Sequence, residues 1–473
     1  MPENSWPESN SYNEFDPLES LWVDIVDADL EPLPRYGEGQ VNRRRRAAIA
    51  LGMIWGGTIA LHFFSVGIWM IWAFTTLMGV HALRLLLTQP RTAAATTWEG
   101  EDYPFVSLLV AAKNEEAVIT RLVQTLCQID YPSHRYELWI IDDNSSDRTP
   151  LLLERLAKDH KQLQVLRRLP GAGGGKSGAL NQVLPLTKGE IIGVFDADAE
   201  VNADLLQRVL PLFQQEQVGA VQLRKNIING NTNFWTRGQQ VEMVVDAYFQ
   251  QQRVAIGGIG ELRGNGQFVR RRALERCGGW NEQTITDDLD LSLRLHLDQW
   301  DIECVLEPAV QEEGVLRAMA LWHQRNRWSE GGFQSYLDYW QLLVRNRLGT
   351  SKTLDLLMFW TIKYFLPTAA IPDFLMSLAR NRPPLFLPLT SLTVALSFIG
   401  MIRGLQQVRK ANNEPVLPLT TLMQAVQGTL YMLHWFPVVA SVTARMSVRP
   451  KRLKWVKTVH QGATESIDVP LEG

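Results

Sequence analysis

The sequence predicts an α/β domain held between apolar, membrane-crossing helices, and three observations carry that prediction. From about Pro104 to Gly332, short apolar runs alternate with amphipathic segments, the pattern of a largely parallel sheet layered with helices. Those runs stop abruptly in acidic, polar or glycine-rich residues. On either side, from Ala47 to Leu83 and again after about Thr353, the chain turns strongly apolar. With 473 residues, 46% of them hydrophobic, there is length for one large or two ordinary domains. A formal net charge of −3 gives no reason to expect a nucleic-acid partner.

Taken in order, residues 1–42 read as an acidic tail without a packed core, sparse in apolar residues and broken by Pro2, Pro7, Pro17, Pro32 and Pro34. Its polar start does not read as a cleavable signal peptide. Residues 43–90 open with four arginines, Arg43 to Arg46, followed by no formally charged side chain until Arg84. That length exceeds one span, so a transmembrane hairpin turning near Phe64 to Gly67 is expected, with the basic block cytoplasmic at its base. A hairpin returns the chain to the same side, which places residues 100–350 in the cytoplasm. Cys127, Cys277 and Cys304 are widely separated and fit reduced thiols, neither a disulfide frame nor a zinc site.

Within residues 100–350, Phe105 to Ala112 reads as the first strand, with a helix opening at Lys113 to Glu116 and reaching about Gln128. Glu137 to Ile141 is the second, closing in Asp142-Asp143-Asn144-Ser145-Ser146-Asp147, and Gln164 to Arg168 the third. The fourth is Ile191 to Phe195, which runs into Asp196 and Asp198. In open α/β sheets ligands bind beyond the carboxyl ends of the strands, so these acids belong at the mouth of a cleft. Strand alternation puts Asp196 and Asp198 on one face. Hard oxygen donors at that spacing suit Mg²⁺, or Mn²⁺, bound together with phosphates, rather than zinc.

Gly175, Lys176 and Ser177 look like the end of a phosphate-cradling P-loop, but the spacing fails, because Pro170 stands where the loop needs its first glycine. Lys176 can still meet a phosphate as a point charge; the plain reading is a solvated lysine in a surface loop. Asp287, Asp288 and Asp290 begin a helix carrying Leu289, Leu291, Leu293, Leu295 and Leu297. Acids favour a helix N-terminus on electrostatic grounds alone. Crowded carboxylates at a cleft also supply a general base. Gln324 to Trp328, QRNRW, sets Arg327, a bidentate phosphate ligand, beside an aromatic wall.

Residues 354–446 return to membrane chemistry. Leu354 to Ala379 is apolar but carries Asp355, Lys363, Pro367, Pro372 and Asp373, and is expected to lie in the interface; Leu385 to Ile402 is a cleaner span. Val416 to Met446 is too long for one straight helix and short for two. Residues 447–473 form a basic tail best kept cytoplasmic, which requires an even number of crossings after the catalytic region, two being expected.

Four signals thus stand in one order: DDNSSD, DAD, the Thr286-Asp287-Asp288 triplet and QRNRW. Together they resemble the processive-type branch of the family-two inverting glycosyltransferases, the group of cellulose and hyaluronan synthases, across roughly Pro104 to Gly332. The resemblance implies a GT-A fold binding a nucleotide-diphosphate sugar. It implies that Asp142 and Asp143 contact the uridine and Lys176 lies near the diphosphate. Asp196 and Asp198 position metal and sugar phosphate, Asp288 is the base beside Asp287, and Gln324, Arg327 and Trp328 form the QxxRW motif. Asp287 replaces the family's usual glutamate, and Asn144 a common glycine.

A polysaccharide synthase must pass a hydrated chain through the bilayer, and four or five spans are few for that. A glycerolipid acceptor needs only a site opening at the interface, near Trp328. The acidic tail, arginine block and short C-terminal region most resemble the cyanobacterial β-monoglucosyldiacylglycerol synthases. That resemblance implies UDP-glucose as donor, 1,2-diacylglycerol as acceptor and a thylakoid or plasma membrane. A polymer synthase and a non-catalytic nucleotide-binding membrane protein stay open as alternatives, and the donor epimer and oligomeric state are not legible.

Overall fold

The computed structural model describes residues 42–90 and 103–449, so the expected acidic tail and all but the first residues of the expected basic tail lie outside the described residues. Two helices come first, α1 (Arg43–Phe63) and α2 (Val66–Leu87). They meet at an extended Phe64, within the expected turn. Arg43 is not a solvated charge: its Nε donates to Asp338 at 2.6 Å, and Arg46 donates to the Leu337 carbonyl at 3.1 Å.

The α/β part then runs β1 (Val106–Ala112), α3 (Ile119–Cys127), β2 (Tyr136–Asp142), α4 (Thr149–Asp159), β3 (Leu163–Arg167), α5 (Gly175–Val183) and β4 (Ile191–Phe195). It continues with α6 (Leu205–Val209), β5 (Val218–Ile227), α7 (Phe234–Ala255), β6 (Gln267–Arg270), α8 (Arg271–Arg276), α9 (Asp287–Leu297) and β7 (Asp301–Glu312). The seven strands form one sheet in the order β3-β2-β1-β4-β6-β5-β7. β1 to β4 are parallel, so their carboxyl ends share an edge, as the sequence implied. The sheet is nevertheless mixed rather than largely parallel, because β6 runs antiparallel to both β4 and β5. The connection from β5 to β6 contains the whole of α7 and is long enough for a parallel crossover, so the reversal is set by how the chain re-enters the sheet through the turn Gly264 to Gly266, not by loop length. The first helix also starts later than expected, at Ile119. The Glu115 and Glu116 amides are instead taken by Thr149 Oγ1 at 2.9 Å and Asp147 Oδ2 at 3.1 Å, which hold a turn.

The core under this sheet is aliphatic, built from Leu108, Val110, Ile140, Leu122, Leu126, Leu205 and their neighbours, all buried. α7 begins with a capping box: Asn233 Oδ1 accepts from the Thr236 amide at 3.0 Å while Thr236 Oγ1 accepts from the Asn233 amide at 3.1 Å.

After β7 come α10 (Ala318–Val344), α11 (Thr350–Trp360), a π-helical turn (Thr361–Phe365), α12 (Leu366–Arg380), α13 (Leu387–Ala411), α14 (Pro418–Met432) and α15 (Trp435–Val448). The π turn has a cause in the sequence. Pro367 has no N–H to return to the carbonyl four residues back, that of Lys363, so the backbone widens there. Among the described residues four helical runs are long and apolar enough to cross a membrane: Arg43–Phe63, Val66–Leu87, Thr350–Arg380 and Leu387–Ala411. The segment expected to be interfacial thus lies inside a continuous run of 31 residues, and Val416 to Met446 resolves into two helices of 15 and 14.

Candidate active site

The acids at the strand ends are positioned one by one. Asp142, the last residue of β2, is 1% exposed: its Oδ1 accepts the Ser145 amide at 3.0 Å and its Oδ2 faces Arg167 at 3.3 Å. It shapes the turn in which Asn144 adopts φ 56°, the left-handed backbone that asparagine tolerates. Asp143 is the accessible member of the pair, 2.6 Å from Arg168 and 3.6 Å from Lys113. Arg168 is 4% exposed and also donates to the carbonyls of Gly173 and Gly175 and to Gln182. One guanidinium therefore ties the DD turn to the glycine loop, and the loop delivers Lys176 at the start of α5.

Lys176 Nζ lies 2.5 Å from Asp196 Oδ1. β4 ends at Phe195, so strand alternation does not govern Asp196 and Asp198: both stand in the following turn. The Asp196 amide donates to Asn265 Oδ1 at 3.1 Å, and Asp198 Oδ2 accepts the Glu313 amide at 3.2 Å. Loop contacts, not the strand, therefore hold the two acids.

Thr286 caps α9 in extended backbone, and Asp287 and Asp288 open its first turn. Asp288 Oδ1 accepts the Leu289 amide at 2.9 Å. Its Oδ2 lies 3.3 Å from where a side chain on Gly264, at φ 85°, would begin. Asp290 points elsewhere, into a buried cluster with Arg294 at 2.7 Å, Asn281 and Tyr339, and is structural. α10 carries QRNRW past this turn. Arg327 lies within electrostatic reach of Asp196, Asp287 and Asp288, as Lys176 does. Burial works against the Lys176 charge, but the three carboxylates outweigh it and hold its pKa above the usual lysine value. The structure therefore brings Lys176, Asp196, Asp287, Asp288 and Arg327 together, with Asp198 beside Asp196.

Residues 107–278 match the family described as glycosyl transferase family 2. A β-monoglucosyldiacylglycerol synthase from Nostoc is 59% identical over 473 positions, covering 98% of this chain and 100% of the relative. The chain belongs to glycosyl transferase family 2. A synthase of the same name from Synechocystis is 52% identical, covering 98% of each. A solved mannosyltransferase from Pyrobaculum calidifontis, in complex with GDP-Man and Mn²⁺, matches 85% of this chain and 96% of its own at 20% identity and TM-score 0.46.

In this glycosyltransferase the close approach of α10 to α9 depends on Gly331, where a Cβ would collide with the Thr286 hydroxyl. Gly331→Ala is expected to destabilise the fold by about 1–3 kcal/mol through overpacking. By shifting α9's first turn it should also lower turnover about tenfold; thermal unfolding and initial rates read the two effects.

Asp287 is half-buried among charges. Burial, opposed by Lys176 and reinforced by Asp288, pushes its carboxyl up to about 6. As pH falls through that value Asp287 takes up a proton and the site loses a negative charge that Lys176 and Arg327 feel. The glycosyltransferase should therefore lose activity below about pH 6 with a single-proton limb, and Asp287→Asn should flatten that limb in a pH–rate profile.

Several residues of the site were not singled out from sequence. Arg325, inside QRNRW, is 1% exposed and pairs with Glu242 of α7, which also accepts from Tyr431 at 2.8 Å and Trp435 at 2.8 Å. The Arg325 guanidinium stacks 4.0 Å from the Trp328 ring, with Lys225 5.5 Å from it. Gln324 Oε1 accepts from Arg325 at 2.6 Å. Only the arginine's position beside a tryptophan was a visible signal; its partners lie far off in sequence.

Asp288, Thr286, Trp328 and Lys225 line one cavity with Met78, Leu85, Phe249, Leu396, Met401 and other apolar side chains of α2, α7, α13 and α14. Its empty volume is about 1970 Å³, open mouth included. A pocket that joins a carboxylate to aliphatic walls has the character of an amphiphile's site.

Proposed function

We propose that this chain transfers glucose from UDP-glucose to the 3-hydroxyl of 1,2-diacylglycerol, giving β-monoglucosyldiacylglycerol and UDP at a bilayer surface. The observation that carries the reading is the cavity running from Asp288 into the apolar helices. A hydrated polymer would need a polar passage, whereas this one, apart from the charges gathered beside Asp288, is walled mostly by apolar side chains that suit acyl chains. The names of the full-length relatives point the same way. Exposed apolar side chains on the long helices, Trp69, Met53 and Trp72 among them, support their lying in lipid, with the GT-A catalytic part on the cytoplasmic side.

In this reading Asp288 takes the proton from the acceptor hydroxyl as its oxygen attacks the anomeric carbon. The bond to the diphosphate breaks, and an α-linked donor yields a β-glycoside. Lys176 and Arg327 hold the departing diphosphate, Asp143 faces the nucleoside end, and Trp328 walls the acceptor side. Asp198, with Asp196, would hold a divalent cation, Mg²⁺ or Mn²⁺. Among the described residues no three His, Cys, Asp or Glu side chains cluster as ligands, which fits an ion that completes its shell with diphosphate oxygens. When bound, that cation neutralises charge on the leaving group.

The test is transfer of label from UDP-glucose or UDP-galactose by the purified full chain in detergent, with Mg²⁺ and diacylglycerol. A labelled monoglycosyl lipid from UDP-glucose is expected. Label only in material immobile on a lipid plate, or formed without diacylglycerol, would replace this reading with a polymer synthase. Nucleotide binding without UDP release would make the chain non-catalytic.

A further inference from the structure

Next to Asp288 the cavity carries a chain of paired charges, fully buried at Arg253 and Asp355 and partly open at Arg263 and Asp246, that proton transfer does not use. Asp246 receives Arg263 at 2.8 and 3.0 Å; Arg263 also pairs with Glu261 at 3.0 Å. Glu261 meets Arg253 at 3.5 Å, and Arg253 meets Asp355 at 2.9 Å, with His81 3.4 Å beyond. Every carboxylate in this chain has an arginine. Lys363, on the π-helical turn, belongs to the same group electrostatically, feeling Glu261, Arg263 and Asp246. Yet among the described residues no carboxylate lies within ion-pair distance of its ammonium, and no hydrogen-bond acceptor within reach. Beside it lie aromatic rings, Phe359 at 5.1 Å and Tyr364 at 5.6 Å. Lys363 lines the cavity, as do Arg263, Asp246 and Asp288.

An ammonium with three donors and no acceptor, in an apolar segment long enough to cross a membrane, is costly and marks function. The charge balance says what it meets. Three carboxylates, Asp246, Glu261 and Asp355, face three cations, Arg253, Arg263 and Lys363. The cluster is neutral with His81 uncharged, and an anionic ligand would enter a balanced site beside the negative Asp288. A neutral oxygen acceptor adds no charge and satisfies the donors.

We propose that Lys363 donates to the ester carbonyls of the acceptor lipid and so selects diacyl over dialkyl glycerol. The inference rests on the diacylglycerol reading of the same cavity. In a diacylglycerol the esters lie a few bonds from the reacting hydroxyl, and the chains follow. The cavity offers the matching chemistries: Asp288 for the hydroxyl, Lys363 for the esters and aliphatic walls for the chains. Arg263, within electrostatic reach of both Asp288 and Lys363, places the first two in one neighbourhood. The π turn that presents Lys363 follows from Pro367 and is a backbone feature frequent at functional sites.

The test compares 1,2-dioleoylglycerol with its 1,2-dioleyl ether counterpart as acceptors for the full chain in detergent. The wild type is expected to show a KM at least about tenfold lower for the diester, the gain of one charge-assisted hydrogen bond. Lys363→Met should raise the diester KM to that of the diether, leaving the diether KM and the UDP-glucose KM within about twofold. Equal use of both lipids by the wild type overturns the proposal, and that measurement needs no variant to fold. Equal loss on both lipids in Lys363→Met assigns the lysine a structural part instead. A Lys363-dependent stimulation by added phosphatidylglycerol, with no ester preference, would assign it to an anionic headgroup and sink the proposal. If neither lipid accepts glucose from the wild type, the diacylglycerol reading itself fails and takes this inference with it.

Discussion

Asp288→Asn should lower kcat about a thousandfold while leaving UDP affinity within about threefold. The magnitude is that of a lost general base. The separation from binding follows from the proposed roles: Asp288 opens onto the apolar cavity assigned to the acceptor, while Lys176 and Arg327 are the groups assigned to the donor's phosphates. Asparagine keeps the shape, and its side-chain oxygen can still accept the Leu289 amide, so α9's first turn is retained. Radiolabel transfer gives kcat and calorimetric titration gives UDP affinity. A kcat within tenfold of wild type would move the base elsewhere, with Asp287 the next candidate.

Arg325→Met carries the largest expected cost in stability. Removing one partner of a buried pair leaves an uncompensated charge, worth about 3–5 kcal/mol. Here the stranded group is Glu242, which keeps Tyr431 and Trp435 as donors but loses the cation paired with it. Trp328 loses the guanidinium stacked on it, so acceptor KM should rise as well. Denaturation in detergent measures the first effect and acceptor kinetics the second. Adding Glu242→Gln to Arg325→Met should restore part of the lost stability, since the orphan charge is then gone. A single variant as stable as wild type would show that the pair contributes nothing net.

The legible and illegible parts of this molecule divide along physical lines. β1, β2 and β4 could be read to within a residue or so because strands buried on both faces of a parallel sheet leave largely apolar runs; β3, the mostly exposed edge strand, was read from its place between helix and glycine loop. β5 could not, although equally buried. It carries Gln222, Arg224 and Lys225, made tolerable by the Asn265 carbonyl, Glu307 and Glu312, partners invisible to a local pattern. β6 is too short to show a period, and its direction is a fact of pairing with β4 and β5 that no local pattern carries, so the mixed sheet was missed. At the site the acidic motifs and QRNRW stood out because charge against an apolar background is conspicuous. The identity of the accessible acid in the DD pair was not, since Asp142 and Asp143 differ only in which way the turn faces them. Arg325 escaped for a different reason: its partner is 83 residues away on another helix. Lys363 was visible as a charge out of place, but its lack of an acceptor among the described residues is a fact about neighbours, which only the fold supplies.

One helix also constrains how the chain is made. α7 lies against β5 and β7 on one side and α13 and α14 on the other. Its Val241, Val245 and Phe249 pack with Met401, Phe398 and Ala425. During synthesis this greasy flank leaves the ribosome long before the helices that will cover it, which follow only after β7, α10 and α12. At about 5–20 residues per second the wait lasts on the order of ten seconds or more. A polypeptide truncated after β7 keeps every acid of the site and still presents that flank to water. It is therefore expected to aggregate rather than yield a water-soluble enzyme, and only the complete chain, delivered to lipid or detergent, reaches the native state.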